Sequence, residues 1–577
     1  MLRCSLSGRQ KIGNDSGVST MKSMLQSLRI ISLMLSLGGA SLGHAAFADP
    51  DAMAEHCQSM PDMPGCERYR PTRSTTPPAA SNTSPKRVLP GEGQGALPPA
   101  VATPVVELKD GDHYLLRAGL VTRTIAGVPL RLYAYNGSVP GPLLKVQQGA
   151  TVTIEFENAI DQDTTVHWHG LRVDARQDGT PGISQAPVPP GGKYRYTLHF
   201  PDDGMYWYHP HVREDFQQDA GLYGNLWVLP RDPKAYAPVD REVALIVDDI
   251  LIENGQQTPY GKEAATYALM GRFGNVLLVN GEDHYQLSVR AGETVRFYLT
   301  NAANARTFNL SLPGVRLKRV GGDSGRYEHE TEVDSVVLAP SERVIVEATF
   351  AQPGHVVLTH TTPDRSYALG QITVAAGEHK EISGSLRDSP AVQAEVATFA
   401  PYRQAPPDYT LTVGLDMPGM GGAGSEHGGH GGHGQLTAEP PPIEWEDDMG
   451  AMNAAATSAA LRWVLRDQAT GAENMAIHYR FERGKPVKIR LINPVTGMHP
   501  MQHPIHFHGQ RFLVLAINGQ PVENQVWKDT VLVPTGATVD IVLDPSNPGD
   551  WMAHCHIAEH LTAGMMFGFQ VVEPGGR

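Results

Sequence analysis

The run Gly149-Ala-Thr-Val152-Thr-Ile-Glu-Phe156-Glu-Asn158 follows a glycine with alternating polar and apolar residues and closes on asparagine. That is the period-two signature of a half-buried β-strand entered from a turn. The same spacing recurs at Gly292, Val295 and Asn301, and again at Gly484, Val487 and Asn493. A second pattern follows each copy: a proline, an alternating strand, a glycine turn and a histidine. It stands at Pro190/Gly204/His209, Pro340/Gly354/His360 and Pro534/Gly549/His554. Two patterns that each occur three times imply three copies of one unit. Short strands punctuated by Gly, Pro, Asn and Asp make each unit an all-β Greek-key sandwich. The expected domains span residues 105–231, 240–376 and 405–577.

A chain of 577 residues is long enough for several such domains. Its formal net charge of −14 leaves no basic field to attract phosphate, which argues against a nucleic-acid partner. The first 48 residues carry Lys22 and Arg29, an apolar run from Ile30 to Leu42, and Ala46-Phe47-Ala48 before Asp49. This reads as a secretory signal without a twin-arginine pair, so export by the Sec route to the periplasm is expected. The apolar run is too short to be a membrane span. Residues 49–104 are rich in Pro, Ser and Thr from Pro61 onward and read as a disordered linker. In this stretch Cys57 and Cys66 suit either a local disulfide or, with His56, Met60 and Met63, a soft-metal site.

Chemistry is concentrated in four short segments that hold ten histidines and one cysteine. They are His167-Trp-His169, His209-Pro-His211, His503-Pro-Ile-His506-Phe-His508 and His554-Cys555-His556-Ile-Ala-Glu-His560, the last followed by Met565. A thiolate and two imidazoles with a weak axial thioether form the ligand set of a blue electron-transfer copper. Cys555, His560 and Met565 supply all of it but one histidine. On a strand, residues i and i+2 share a face. His554 and His556 should therefore point one way and Cys555 the other, with a second metal cluster on their side. The middle unit has Phe308 and Leu310 where the first has His167 and His169, and His360 stands alone. Copper ligands are expected only in the outer units, the middle one acting as a spacer.

On these motifs the chain from about residue 105 to its end resembles the three-domain multicopper oxidases, the group of laccases and bacterial cuprous oxidases. The resemblance implies cupredoxin-like domains and four copper ions: one type 1, one type 2 and a type 3 pair. It implies His503, Cys555 and His560 on the type 1 copper with Met565 axial, and His167 with His506 on the type 2. The type 3 ions would take His169, His209 and His556, and His211, His508 and His554. The implied reaction couples four one-electron oxidations at the blue site to reduction of dioxygen to two waters. Asp178 is either an acid beside the cluster, where the family often places one, or a plain Asp-Gly turn residue. The position after His560, often glutamate in bacterial relatives, is Leu561, which removes one candidate proton donor.

The insertion at 417–452 carries Met417, Met420, His427, His430, His433, Met449 and Met452 in a glycine-rich, then acidic, stretch. Such a composition suits cuprous copper, although a solvated loop would read the same way. The expectation is a monomeric oxidase acting on cuprous ion. The alternatives are a laccase-like phenol oxidase and a copper-binding protein without catalysis. A phenol oxidase should leave an open apolar pocket beside His503 or His560. A metallo-oxidase should close it and offer sulfur or carboxylate.

Overall fold

The computed structural model describes residues 86–377, 384–417, 442–496 and 499–575. The expected signal segment, Cys57, Cys66 and residues 418–441 of the His/Met-rich insertion lie outside the described residues.

Three two-sheet sandwiches follow one another. In the first, a four-stranded sheet built on His113–Ile125 and Thr151–Asn158 faces a five-stranded sheet ordered Val105–Leu108, Leu143–Gln147, Gly224–Leu229, Gly204–His209 and His167–His169. The second and third each pair a six-stranded with a five-stranded sheet, over strands from Arg241–Ile250 to Ser366–Ala375 and from Tyr409–Asp416 to Met566–Val572. Along Thr151–Asn158 every second residue is buried, so Val152, Ile154 and Phe156 line the first core. The alternation thus sets which face turns inward.

The repeated asparagine is inward as well, and its role is the same in all three copies. Asn158 Nδ2 donates to Gln162 O and Val188 O at 2.8 and 2.7 Å. Asn301 donates to Arg306 O and Leu338 O, both at 2.8 Å, and Asn493 to Met501 O and Val533 O at 2.7 and 3.0 Å. Each amide thus ties together two buried carbonyls at the crossover between sheets. The second repeated glycine sits at φ +151, +145 and +138 at positions 204, 354 and 549, a conformation that side chains rarely adopt.

In the middle sandwich His360 is fully buried, accepts the Asn309 N–H at 3.0 Å, and lies 5.1 Å from the Phe308 ring. Burial, then Arg306, pushes its pKa down to about 4. It serves there as a core histidine.

One expectation is corrected. Residues 86–104, taken with the linker, are ordered against the first two sandwiches. Arg87–Val88 pairs with Tyr260–Gly261, Ala100 N–H donates to Thr122 O at 2.8 Å, and Arg131 Nε donates to Pro90 O at 2.8 Å. A proline-rich chain has few amide donors and no apolar period, so composition hides it. Its carbonyls still accept bonds from a neighbouring surface. Among the described residues, no helix is long and apolar enough to cross a membrane.

Candidate metal centre

The histidine segments lie on neighbouring strands. His167–His169 pairs with Gly204–His209, setting His167 opposite His209; His503–Phe507 pairs with Gly549–Cys555, setting His506 opposite His554 and Ile505 opposite Cys555. Alternation then separates two sites. Cys555 Sγ turns toward His503 Nδ1 at 3.6 Å and His560 Nδ1 at 3.8 Å, and those nitrogens are 3.3 Å apart. His554 turns the other way and meets His508, Nε2 to Nε2, at 3.0 Å.

On the cysteine side all three groups are fully buried, as is Met565. Cys555 N–H donates to Met565 O and Met565 N–H to His560 O, both at 3.0 Å, so the backbone holds Met565 beside the pair. Burial pushes the Cys555 thiol far above its usual range and drives His503 down to about 3. A thiol and neutral imidazoles, dry and converging, are unfavourable for charge. A soft cation would supply the charge that makes the sulfur a thiolate ligand.

On the other face eight imidazoles close into one cage from the first and third sandwiches. His167 stacks on His508 at 4.0 Å and His169 on His506 at 3.8 Å between ring centroids. His169, His209 and His556 lie 5.0 to 5.7 Å from one another, and His167 lies 5.9 Å from His506. The ligand nitrogens of His211, His508 and His554 fall within 4.8 Å of each other. Those of His167 also group with His169 and His209, and with His506 and His508, so the cage is continuous.

The ring nitrogens show why a metal fits. Nδ1 of His167, His209 and His506 is tied to a backbone carbonyl at 2.8 to 2.9 Å, and Nε2 of each is buried without a partner. His169 is anchored at Nε2 and leaves Nδ1 free. Burial holds His169, His209, His211, His554 and His556 well below the usual histidine range. A neutral imidazole fixed through one nitrogen offers a lone pair on the other, the form in which histidine binds metal. Orphaned buried acceptors at this density are costly unless a cation takes them.

Three carboxylates grip the cage. Asp178, 1% exposed, accepts from His508 Nδ1 at 2.9 Å and Thr180 Oγ1 at 2.5 Å, with its other oxygen 3.4 Å from His167 Nδ1. Burial works to raise its pKa, but His508 and His167 hold it well below the usual range. It is a turn residue too, since its N–H closes the short helix Ala175–Gln177. Asp529, missed by the sequence reading, accepts from His169 Nε2 at 3.0 Å through its side chain and from His506 Nδ1 at 2.8 Å through its carbonyl. Glu214 was missed as well. Its carboxylate lies 3.1 Å from His211 Nδ1, and burial, then Asp215, raises its pKa well above the usual value. Neither position carries a local motif. Only the paired strand, which sets His506 opposite Thr530, brings Asp529 to the histidines.

The cysteine side is covered. Trp463 lies 4.3 Å from the His560 ring and 4.8 Å from His503, and its Nε1 donates to Ala268 O at 2.9 Å. The end of the insertion is tied down beside this site. Glu444 N–H donates to Gln502 Oε1 at 2.8 Å, Asn453 Nδ2 donates to Gly271 O at 2.8 Å and to Asp447 Oδ2 at 3.0 Å, and Arg306 bonds Trp445 O and Glu446. Met449 rests on the core that holds Cys555 and Trp463.

Three family models, each described as multicopper oxidase, match residues 120–233, 226–374 and 444–575. The chain is 26% identical to "Multicopper oxidase MmcO" of Mycobacterium tuberculosis, over 77% of this chain and 86% of that protein. It is 23% identical to "Copper resistance protein A" of Escherichia coli, covering 82% and 95%. A multicopper oxidase from Campylobacter jejuni, titled a metallo-oxidase, superposes with a TM-score of 0.62 at 22% identity, over 85% of this chain and 99% of that one. With three matching models in tandem over roughly two thirds of its length, and the paired histidines and Cys555 gathered as described, the chain belongs to the multicopper oxidases.

Proposed function

We propose that this copper-dependent oxidoreductase takes cuprous ion as its reductant, with dioxygen as the acceptor. The observation that carries the reading is that His503 and His560 are both fully buried with Trp463 packed against both rings, while the segment from Glu444 to Asn453 is bonded to Gln502 beside His503 and rests Met449 on the same core. An organic reductant such as a phenol needs an open apolar face against one of these imidazoles. This cover instead offers Glu444, Asp448 and Met449, the oxygen and sulfur ligands that a small cation accepts. Burial, then the neighbouring Asp448, raises the Glu444 pKa.

The residues divide the work as follows. His503, Cys555, His560 and Met565 hold the type 1 copper, and His167 with His506 the type 2. His169, His209 and His556 hold one type 3 ion, and His211, His508 and His554 the other. When bound, the four coppers supply the one-electron redox chemistry that joins oxidation of the reductant to reduction of dioxygen to water. Cys555 links the two sites covalently, because its own side chain faces one and its neighbours His554 and His556 face the other. Asp178 holds His508 and His167 in their ligand tautomers and stands as an acid or base at the cage wall. Export is proposed from the apolar run Ile30 to Leu42 and the Ala46-Phe47-Ala48 pattern.

The test replaces the cover's ligands together, Glu444→Gln with Met449→Leu. The Michaelis constant for cuprous ion should rise about tenfold or more, with little change in oxidation of a small outer-sphere reductant. An unchanged cuprous constant would remove the substrate assignment.

A further inference from the structure

We propose that Arg343, on the sandwich that contributes no cage histidine, is a positioning residue for the trinuclear cluster, fixing the Asp529 carboxylate that holds His169. The inference rests on the assignment of His169 and His506 to that cluster.

Arg343 is 1% exposed, and each of its five guanidinium donors has an acceptor. Nε donates to Met205 O of the first sandwich at 2.8 Å. Nη1 donates to Ser341 O and to Asp529 Oδ1, both at 2.8 Å. Nη2 donates to Asp323 O at 3.2 Å and to Asp529 Oδ2. One side chain thus ties all three sandwiches and grips Asp529 through both oxygens. The fork geometry fixes the plane of the carboxylate as well as its position.

What Asp529 does with that orientation is specific. Oδ1 accepts from His169 Nε2 at 3.0 Å, while Thr530 Oγ1 donates to the same oxygen at 2.9 Å. The next carbonyl in the backbone, Asp529 O, accepts from His506 Nδ1 at 2.8 Å. His169 must therefore present Nδ1 to the cage, whereas His167, His209 and His506 present Nε2. The stacking of His169 on His506 at 3.8 Å places one proposed type 3 and one proposed type 2 ligand under the same pair. Gly170 records how closely the pair approaches. It has φ +81, and a Cβ there would collide with Asp529 Oδ2 and Arg343 Nη2. The support reaches further back. Asp323 Oδ1 accepts the Arg343 N–H at 2.7 Å, and Lys528 lies 3.1 Å from both Asp323 and Glu342.

A charged pair without solvent contributes little net stability on average, but removing one partner leaves a buried unpaired charge. Losing Arg343 should therefore move Asp529 and release His169, leaving the distant cysteine site in place. Outer-shell partners of metal histidines are worth about 10–100-fold in metal affinity or activity.

The experiment prepares copper-loaded wild type, Arg343→Met, Arg343→Lys and Asp529→Asn. It records copper per chain, the blue absorption, the near-ultraviolet band of the coupled copper pair and the type 2 electron paramagnetic resonance signal. The expected result is an intact blue band in the variants with weakened coupled-pair and type 2 signals. Trinuclear copper should be removed by chelator at about 10–100-fold lower concentration. Arg343→Lys, which keeps the charge but not the fork, should show the same defect more mildly. The blue band reports folding of the third sandwich; if Arg343→Met loses it, Arg343→Lys decides. Wild-type copper content, signals and chelator resistance in Arg343→Lys and Asp529→Asn would overturn the proposal. Absence of the coupled-pair signal in the wild type would overturn the cluster assignment itself.

Discussion

The carboxylate of Asp178 and the imidazole of His508, 330 residues apart in the chain, meet in a 2.9 Å hydrogen bond at the wall of the histidine cage. The bond joins the first sandwich to the third, and Asp178 also lies 3.4 Å from His167 Nδ1. Asp178→Asn keeps the shape but can no longer accept at both oxygens. It should lower steady-state oxygen consumption by about 100-fold, with a normal rate of bleaching of the blue band by reductant without oxygen. Unchanged turnover would reduce Asp178 to a turn residue.

Cys555→Ser should abolish the blue absorption and all substrate oxidation. Serine fits the volume, so the circular dichroism of the β-sandwiches should be retained. The cage histidines face away from position 555, and copper analysis should still find trinuclear copper. Retained turnover would refute the cysteine-side assignment.

Asn493→Leu removes the two donors that saturate Met501 O and Val533 O, next to the strand of His503. Orphaning buried acceptors costs about 1–3 kcal/mol each, so a fall in thermal midpoint of several degrees is expected. The same change at Asn158 or Asn301 should cost a similar amount. Widely different losses would break the structural equivalence of the three asparagines.

Glu559 is 1% exposed, and burial pushes its pKa up to about 8 even though it accepts a bond from Asn304 Nδ2 at 3.0 Å. An unfolded glutamate titrates near 4.3. Between these values the folded protein holds a proton that the unfolded chain has released. The Glu559 contribution to stability therefore falls as pH rises through this window and levels off above it. In copper-free protein, Glu559→Gln should flatten the drop in stability between pH 5 and 8, on the order of a few kcal/mol. Parallel pH profiles for variant and wild type would contradict this.

Removing residues 417–434, which include Met417, Met420 and three histidines, should lower cuprous oxidation more than phenol oxidation. Equal losses would make the segment a structural connection.

Much of this was legible in the chain. The Gly149-to-Asn158 run and its copies define the strands because a sandwich imposes period two on any chain that buries one face. The paired histidines and Cys555 announce themselves because adjacent residues on a strand must face opposite ways. The supports were not legible. Arg343 meets Asp529 across 186 residues, through a register that only the folded sheets create, and nothing near either residue marks it. The order of residues 86–104 was hidden for a related reason: their partners Thr122, Arg131 and Tyr260 lie on other strands. The middle sandwich reads as a spacer because it carries no copper-ligand motif, and Arg343 has no ligand chemistry to mark it.

Cuprous ion is the proposed reductant. The most direct measurement is oxygen consumption by the copper-loaded protein with cuprous ion and with a simple phenol, each with and without added cupric ion. Rapid uptake is expected with cuprous ion, and phenol oxidation that appears mainly when cupric ion is added. Strong phenol turnover without added copper, together with slow cuprous turnover, would contradict it and make the protein a laccase.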